Sequence, residues 1–186
     1  VHDLVAITPL GAAEPRVDTH GPVTLSEITD TALASVAARL GQEEQARAWL
    51  GTTLGVAAPD PARVGGKDLT AFWMGPDQWM VEAPYRTHEM LAPDLARQAG
   101  GVASVTEQSD AWCRFDLAGD GLADVFERLC PADVRSFKGG EAVRTSIDHL
   151  GCFLICRTPE HFSVYGPRSS AGSLHHALLV VMRSAH

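Results

Sequence analysis

The spacing of apolar side chains changes along the chain, and each change marks an element. EEQARAWLGTTL, from Glu43 to Leu54, opens with two acids and repeats apolar residues at Ala46, Trp49, Leu50 and Leu54, a stripe of helical period. A Pro- and Gly-rich loop, AAPDPARVGG, follows. In KDLTAFWMGPDQWMVEAP two apolar runs, Leu69 to Met74 and Trp79 to Ala83, flank Gly75-Pro76-Asp77-Gln78, and that turn chemistry predicts a β-hairpin. Thr87 as N-cap and Glu89 as an early acid predict a helix to about Gln98, with Met90, Leu91 and Leu95 inward and Gly100-Gly101 as the stop. VASVTEQ then reads as a strand. Upstream, TALASVAARL fits either a helix or a half-buried strand. Residues 1–30 are punctuated at Pro9-Leu10-Gly11, Glu14-Pro15 and Gly21-Pro22, too often for a long helix, and predict an extended N-terminal arm that frays or lies on a neighbour.

The second half repeats this plan. AWCRFDLAG alternates Trp112, Arg114 and Asp116 against Cys113, Phe115 and Leu117, as a half-buried strand does. Leu122 to Cys130 is a short amphipathic helix with Leu122, Val125, Phe126 and Leu129 on one face, ended by Pro131. AVRTSID, CFLICRT and HFSVYGP read as three strands, and Arg168 to Arg183 as a closing helix. The expected fold is α+β: two small lobes of antiparallel sheet covered by helices. The expected division is an arm over 1–30, a first lobe over 31–110 and a second over 111–186, together forming one compact domain.

Composition narrows the partners. The chain has 186 residues, long enough to bury a core without disulfides or a structural metal. That core is modest, because 26 of the chain's residues are Ala. A net charge of −8 argues against nucleic acid, which needs a basic face. The charge is uneven: residues 134–183 hold three acids and six bases, net +3, leaving −11 before them. Such a split predicts faces of opposite sign that orient a protein between larger neighbours. No apolar stretch is long enough to span a membrane. VHDLVAITPL has Asp3 and no basic region, so it does not read as a signal peptide. Cys113, Cys130, Cys152 and Cys156 form no CxxC pair and fit a reducing, cytoplasmic setting. Cys152 and Cys156 would share a strand face about 13 Å apart, too far for a disulfide.

Candidate chemistry is sparse. Gly65-Gly66, Gly100-Gly101 and Gly139-Gly140 lack the strand and helix that a dinucleotide fingerprint requires, and there is no Walker loop and no HExxH. His175-His176 would sit about 100° apart on a helix and cannot ligate one metal together. Ser109-Asp110 has no nucleophile elbow and reads as a turn or cap. Cys113 should point into the core, and Asp148-His149 reads as the turn before Gly151. One segment has two readings. Gly166-Pro167-Arg168-Ser169-Ser170 ends a strand and opens a helix, so Arg168, Ser169 and Ser170 could hold an anion. Alternatively Ser169 or Ser170 caps the helix and Arg168 pairs with a carboxylate.

Five fragments in order, WMGPDQWMVEAP, VTEQSDAWCRFDLAG, ERLCPADVRSF, AVRTSIDHLG and FSVYGPRSSAGSLHHAL, resemble the gamma subunit of heterotetrameric sarcosine oxidase, over about residues 30 to 180. From Trp112 onward the layout is also similar to the T-protein group of folate-binding domains, and this likeness favours a strand at 33–39. The resemblance implies a non-catalytic subunit that serves assembly and stability, with alpha, beta and delta subunits as partners. In that family the complex oxidatively demethylates sarcosine to glycine with oxygen and tetrahydrofolate, giving hydrogen peroxide and methylenetetrahydrofolate. FAD, FMN, NAD, tetrahydrofolate and zinc are expected on partner subunits and none on this chain, with a homodimer possible when it is isolated. The rival reading is a stand-alone folate-binding transferase or repair protein of the T-protein kind. That reading needs a carboxylate placed to hold the pterin, and the chain is about half the length of such a transferase.

Overall fold

In the computed structural model, which describes residues 5–185, the strands in chain order are β1 (Val17–His20), β2 (Val23–Ile28), β3 (Ala32–Ala38), β4 (Val64–Gly66), β5 (Thr70–Gly75), β6 (Gln78–Ala83), β7 (Ala103–Glu107), β8 (Trp112–Gly119), β9 (Ala142–Ile147), β10 (Leu150–Thr158) and β11 (His161–Pro167). The helices are α1 (Glu43–Leu54), α2 (Leu91–Gln98), α3 (Leu122–Leu129) and α4 (Ala171–Ala185). The protein is α+β, with two sheets whose paired strands run antiparallel. Its contacts fall into two units, one of residues up to 29, 111–139 and from 144, the other of residues 30–110 and 140–143.

The first unit holds a six-stranded sheet in the order β1-β2-β8-β11-β10-β9. Here the expectation of an N-terminal arm is corrected. The expectations for residues 1–4, Asp3 among them, lie outside the described residues, but from Val17 the segment is a β-hairpin whose second strand pairs along β8. The Gly21-Pro22 break is its turn: Gly21 takes φ 53° and the Pro22 ring holds φ near −65°, the sign pattern of a type II′ hairpin loop. Val23, Leu25 and Glu27 alternate inward, and that period was the overlooked signal. Gly119, at φ 136°, permits the closest approach of β2 to β8, since a Cβ there would lie 1.9 Å from the Pro22 carbonyl oxygen.

One face of this sheet meets α3 and α4. Phe126 of α3 lies 4.8 Å from Phe162 of β11, and Phe115 of β8 lies 5.6 Å from the His175 ring of α4. In the same unit Val23, Leu25, Leu117, Leu174 and Met182 are fully buried. Each such side chain contributes about 1.5–3 kcal/mol by leaving water.

β9 and β10 are joined by Asp148 and His149, at φ 48° and 66°. A two-residue loop with both φ positive is of the type I′ kind, which Asn-Gly suits best. The double substitution Asp148→Asn/His149→Gly should therefore stabilise the protein by about 1 kcal/mol. A thermal melt reads this directly, and an unchanged or lower melting temperature would contradict it.

The second unit holds the sheet β4-β5-β6-β3-β7 with α1 and α2 against it. Residues 33–39 were expected as a strand, and the strand is observed at Ala32–Ala38; α1 spans the expected residues. Ala46, Leu50 and Leu54 bury against Ala34, Val36, Trp79 and Val81, and Gly55 ends the helix at φ 67°. Two expectations change. The loop AAPDPARVGG contains β4, which pairs with β5. The second helix begins at Leu91, and Thr87 belongs to a 3₁₀ turn, its hydroxyl bonded to the Pro84 carbonyl at 3.2 Å. Pro93 supplies the reason, since its ring would clash with the carbonyl four residues back in a longer helix and is tolerated only in the first turn. Met90 is accordingly 58% exposed. Among the described residues no helix is long and apolar enough to cross a membrane.

Candidate functional site

The first unit's sheet carries a charged network on the face opposite α3 and α4. Alternation along β8 sends Cys113, Phe115 and Leu117 to the helices and Arg114 and Asp116 to the other side. Antiparallel pairing sets Ser163 of β11 across from Asp116, and Tyr165 across from Arg114. Arg114 holds Asp116 by two bonds, Nε to Oδ1 at 2.8 Å and Nη2 to Oδ2 at 2.7 Å. His161 Nε2 lies 2.9 Å from the same Oδ2, and the Arg114 guanidinium lies 5.8 Å from the centre of the Tyr165 ring. On β10, Arg157 Nε donates to Ser163 Oγ at 3.1 Å.

Asp116 is only 8% exposed, so its charge needs these donors. Burial alone would raise its pKa. The bonds and charge of Arg114, reinforced by His161 and the Ser163 hydroxyl, outweigh burial and hold the carboxyl below its ordinary value. An ionised Asp116 can accept a hydrogen bond from His161 Nε2 and so orients the imidazole ring. The pair can hold and pass a proton. Yet among the described residues no hydroxyl or thiol is hydrogen-bonded to His161, so the arrangement offers an oriented base without a nucleophile.

A second imidazole–carboxylate pair ties the N-terminal hairpin to α4. Buried His175 places Nε2 2.9 Å from Asp18 Oδ2, and Arg16 holds the same carboxylate at 2.8 and 3.0 Å. The Arg16 hydrogen bond, helped by His175, keeps the Asp18 pKa low against the effect of burial. Nearby, buried Glu27 accepts the backbone N–H groups of Leu10 and Arg16 at 2.9 and 3.0 Å.

The residues singled out from sequence stand apart from both networks. Arg168, Ser169 and Ser170 form a 3₁₀ turn leading into α4. The Arg168 N–H donates to the Ala111 carbonyl at 3.0 Å and its Nη2 to the Ile7 carbonyl at 3.3 Å, while Ser169 is exposed. Cys113 is buried and its thiol is pushed up to about 11 by burial, as Cys152 is to about 12, so neither is a nucleophile near neutral pH. Among the described residues no disulfide joins any of the four cysteines. Ser109 lies in the turn after β7, its Oγ accepting the Leu33 N–H of β3 at 3.0 Å.

Sequence reading missed the Asp116 network. Its one available signal was Arg114 and Asp116 two apart on a strand, hence on one face; His161 joins them only through the register of β11. The charge split is also softened locally, because Arg135 binds Asp124 at 2.6 Å and Glu127 at 2.7 Å.

In the second unit, the exposed side of α1 and the chain at 55–60 enclose an open groove of about 810 Å³. Gly51 brings these walls together, since a Cβ there would lie 3.3 Å from the Val56 carbonyl oxygen. Arg47 closes one rim by bonding the Ala58 carbonyl at 3.1 Å and Asp60 at 2.8 Å.

No protein-family model and no curated protein matches the chain. Solved structures define the class: this is the fold of the T-protein, folate-binding type. The aminomethyltransferase T of the glycine cleavage system from Bartonella henselae superposes with TM-score 0.65 and 16% identity over 89% of this chain, which spans 50% of that one. The particular likeness is to the heterotetrameric sarcosine oxidase from Corynebacterium sp. U-96, with TM-score 0.77 and 25% identity over 88% of this chain and 85% of that one. The resemblance read from sequence fragments is thus borne out at the level of fold.

Proposed function

We propose that this chain is the gamma-type, non-catalytic subunit of a sarcosine oxidase complex with a folate-related role in one-carbon metabolism. One observation carries the reading: the superposition on a heterotetrameric sarcosine oxidase covers nearly all of both chains. On this reading the complex demethylates sarcosine to glycine in the cytoplasm. Oxygen and tetrahydrofolate are consumed, and hydrogen peroxide and methylenetetrahydrofolate are formed. FAD, FMN, NAD, tetrahydrofolate and zinc are held by alpha, beta and delta partners, and this chain contributes assembly and stability.

Co-expression tests it. The chain alone should be colourless, and omitting it should abolish a stable, flavin-coloured complex. A complex that assembles and turns over sarcosine equally well without it would refute the proposal. The similarity to an aminomethyltransferase supports the second reading, a stand-alone folate-binding transferase. Calorimetry separates the two, because micromolar tetrahydrofolate binding by the isolated chain favours the transferase.

A further inference from the structure

Beyond that reading, and independent of it, the first unit carries a cleft of about 320 Å³ between the end of α3, the outer side of α4 and the β9–β10 turn. This volume lies at the lower end of the roughly 300–1,000 Å³ typical of small-molecule sites. Leu129, Val180 and Val181 line it with apolar surface, and Val180 is 48% exposed on a helix that buries Leu174, Leu178, Leu179 and Met182. Three polar groups rim it: Arg128, His176 and Asp148. Arg128 is fixed there by the bond from Nη1 to the Ser184 carbonyl at 2.7 Å, which leaves the rest of its guanidinium as a donor fork. Asp148 and His176 make no side-chain hydrogen bond or ion pair among the described residues. Asp148 is held at the rim by a backbone in the left-handed region, at φ 48°. A concave apolar patch with a cation and an unpaired carboxylate at its edge is complementary to a small zwitterion with an apolar body.

We infer that this cleft binds an aliphatic α-amino acid. Arg128 and His176 take the carboxylate, Asp148 takes the ammonium, and Leu129, Val180 and Val181 take the side chain. Each half of the ligand is a charge-assisted contact, so deleting either should weaken binding by about tenfold or more.

The test is NMR of the methyl-labelled full chain, titrated separately with L-leucine, 4-methylpentanoate, which lacks the amine, 3-methylbutylamine, which lacks the carboxylate, and glycine, which lacks the side chain. L-Leucine should shift the methyl signals of Leu129, Val180 and Val181 saturably and bind at least about tenfold more tightly than the other three. Asp148→Asn, which the left-handed turn accommodates, should abolish the preference for L-leucine over 4-methylpentanoate at an unchanged or higher melting temperature. Absence of methyl shifts at tens of millimolar L-leucine overturns the site. Equal binding of 4-methylpentanoate by the unaltered chain, or an undiminished preference for L-leucine in Asp148→Asn, overturns the assignment of the ligand. None of these outcomes bears on whether the chain assembles with oxidase subunits.

Discussion

Asp116→Ala is expected to destabilise the protein by about 3 kcal/mol or more, because it removes the carboxylate that both Arg114 and His161 bond in a site where Asp116 is nearly excluded from water. Urea denaturation measures it. A double-mutant cycle with Arg114→Ala should return a coupling of roughly 1–3 kcal/mol, whereas near-additivity would mean that the network carries no stability. The pH dependence has a definite sign. Since the folded carboxyl titrates below its unfolded value, about 3.9, its contribution is complete above that pH and is lost as pH falls through the depressed value. Asp116→Asn should lower the neutral plateau and flatten part of the acid limb. Asp18, also depressed, supplies another part, so the limb should not vanish.

Trp79→Ala should cost a further order of stability in the second unit, about 3–5 kcal/mol. Trp79 is 1% exposed, its Nε1 donates to the Pro59 carbonyl at 2.8 Å, and the Arg47 guanidinium lies 5.6 Å from its ring. Trp79→Phe isolates the polar share: most of the packing survives, the Pro59 carbonyl loses its donor, and the loss should be about 1–2 kcal/mol. Equal losses for the two variants would show that the hydrogen bond, and not the ring's volume, holds the site.

Local periodicity made most elements legible. The helical stripe of Ala46, Leu50 and Leu54, the turn at Gly75-Pro76, and the alternation around Phe115 are each written within a dozen residues. What stayed hidden is non-local or depends on context. Gly21-Pro22 looks like a chain break until its φ pattern is set against two strands, and Pro93 trims a helix that capping residues alone would have extended. The charged site was illegible for the same reason: Asp116 and His161 meet through strand pairing, and Asp18 and His175 come from nearly opposite ends of the chain. Charge counting failed where Arg135 meets Asp124 and Glu127, because a sum over sequence cannot see which opposite charges neutralise each other at contact distance.

The pairing of β2 with β8 spans the whole of residues 30–110. It sets an order of events during synthesis. Nearly all of the second unit lies in that continuous stretch and can collapse as soon as it leaves the ribosome, whereas β1 and β2, translated before it, must wait for Trp112–Gly119 before their sheet can close. In that interval the β8-facing edge of β2 and the side chains of Val23 and Leu25 lack their native partners, which makes the β1–β2 segment a place where aggregation can start and a chaperone can bind.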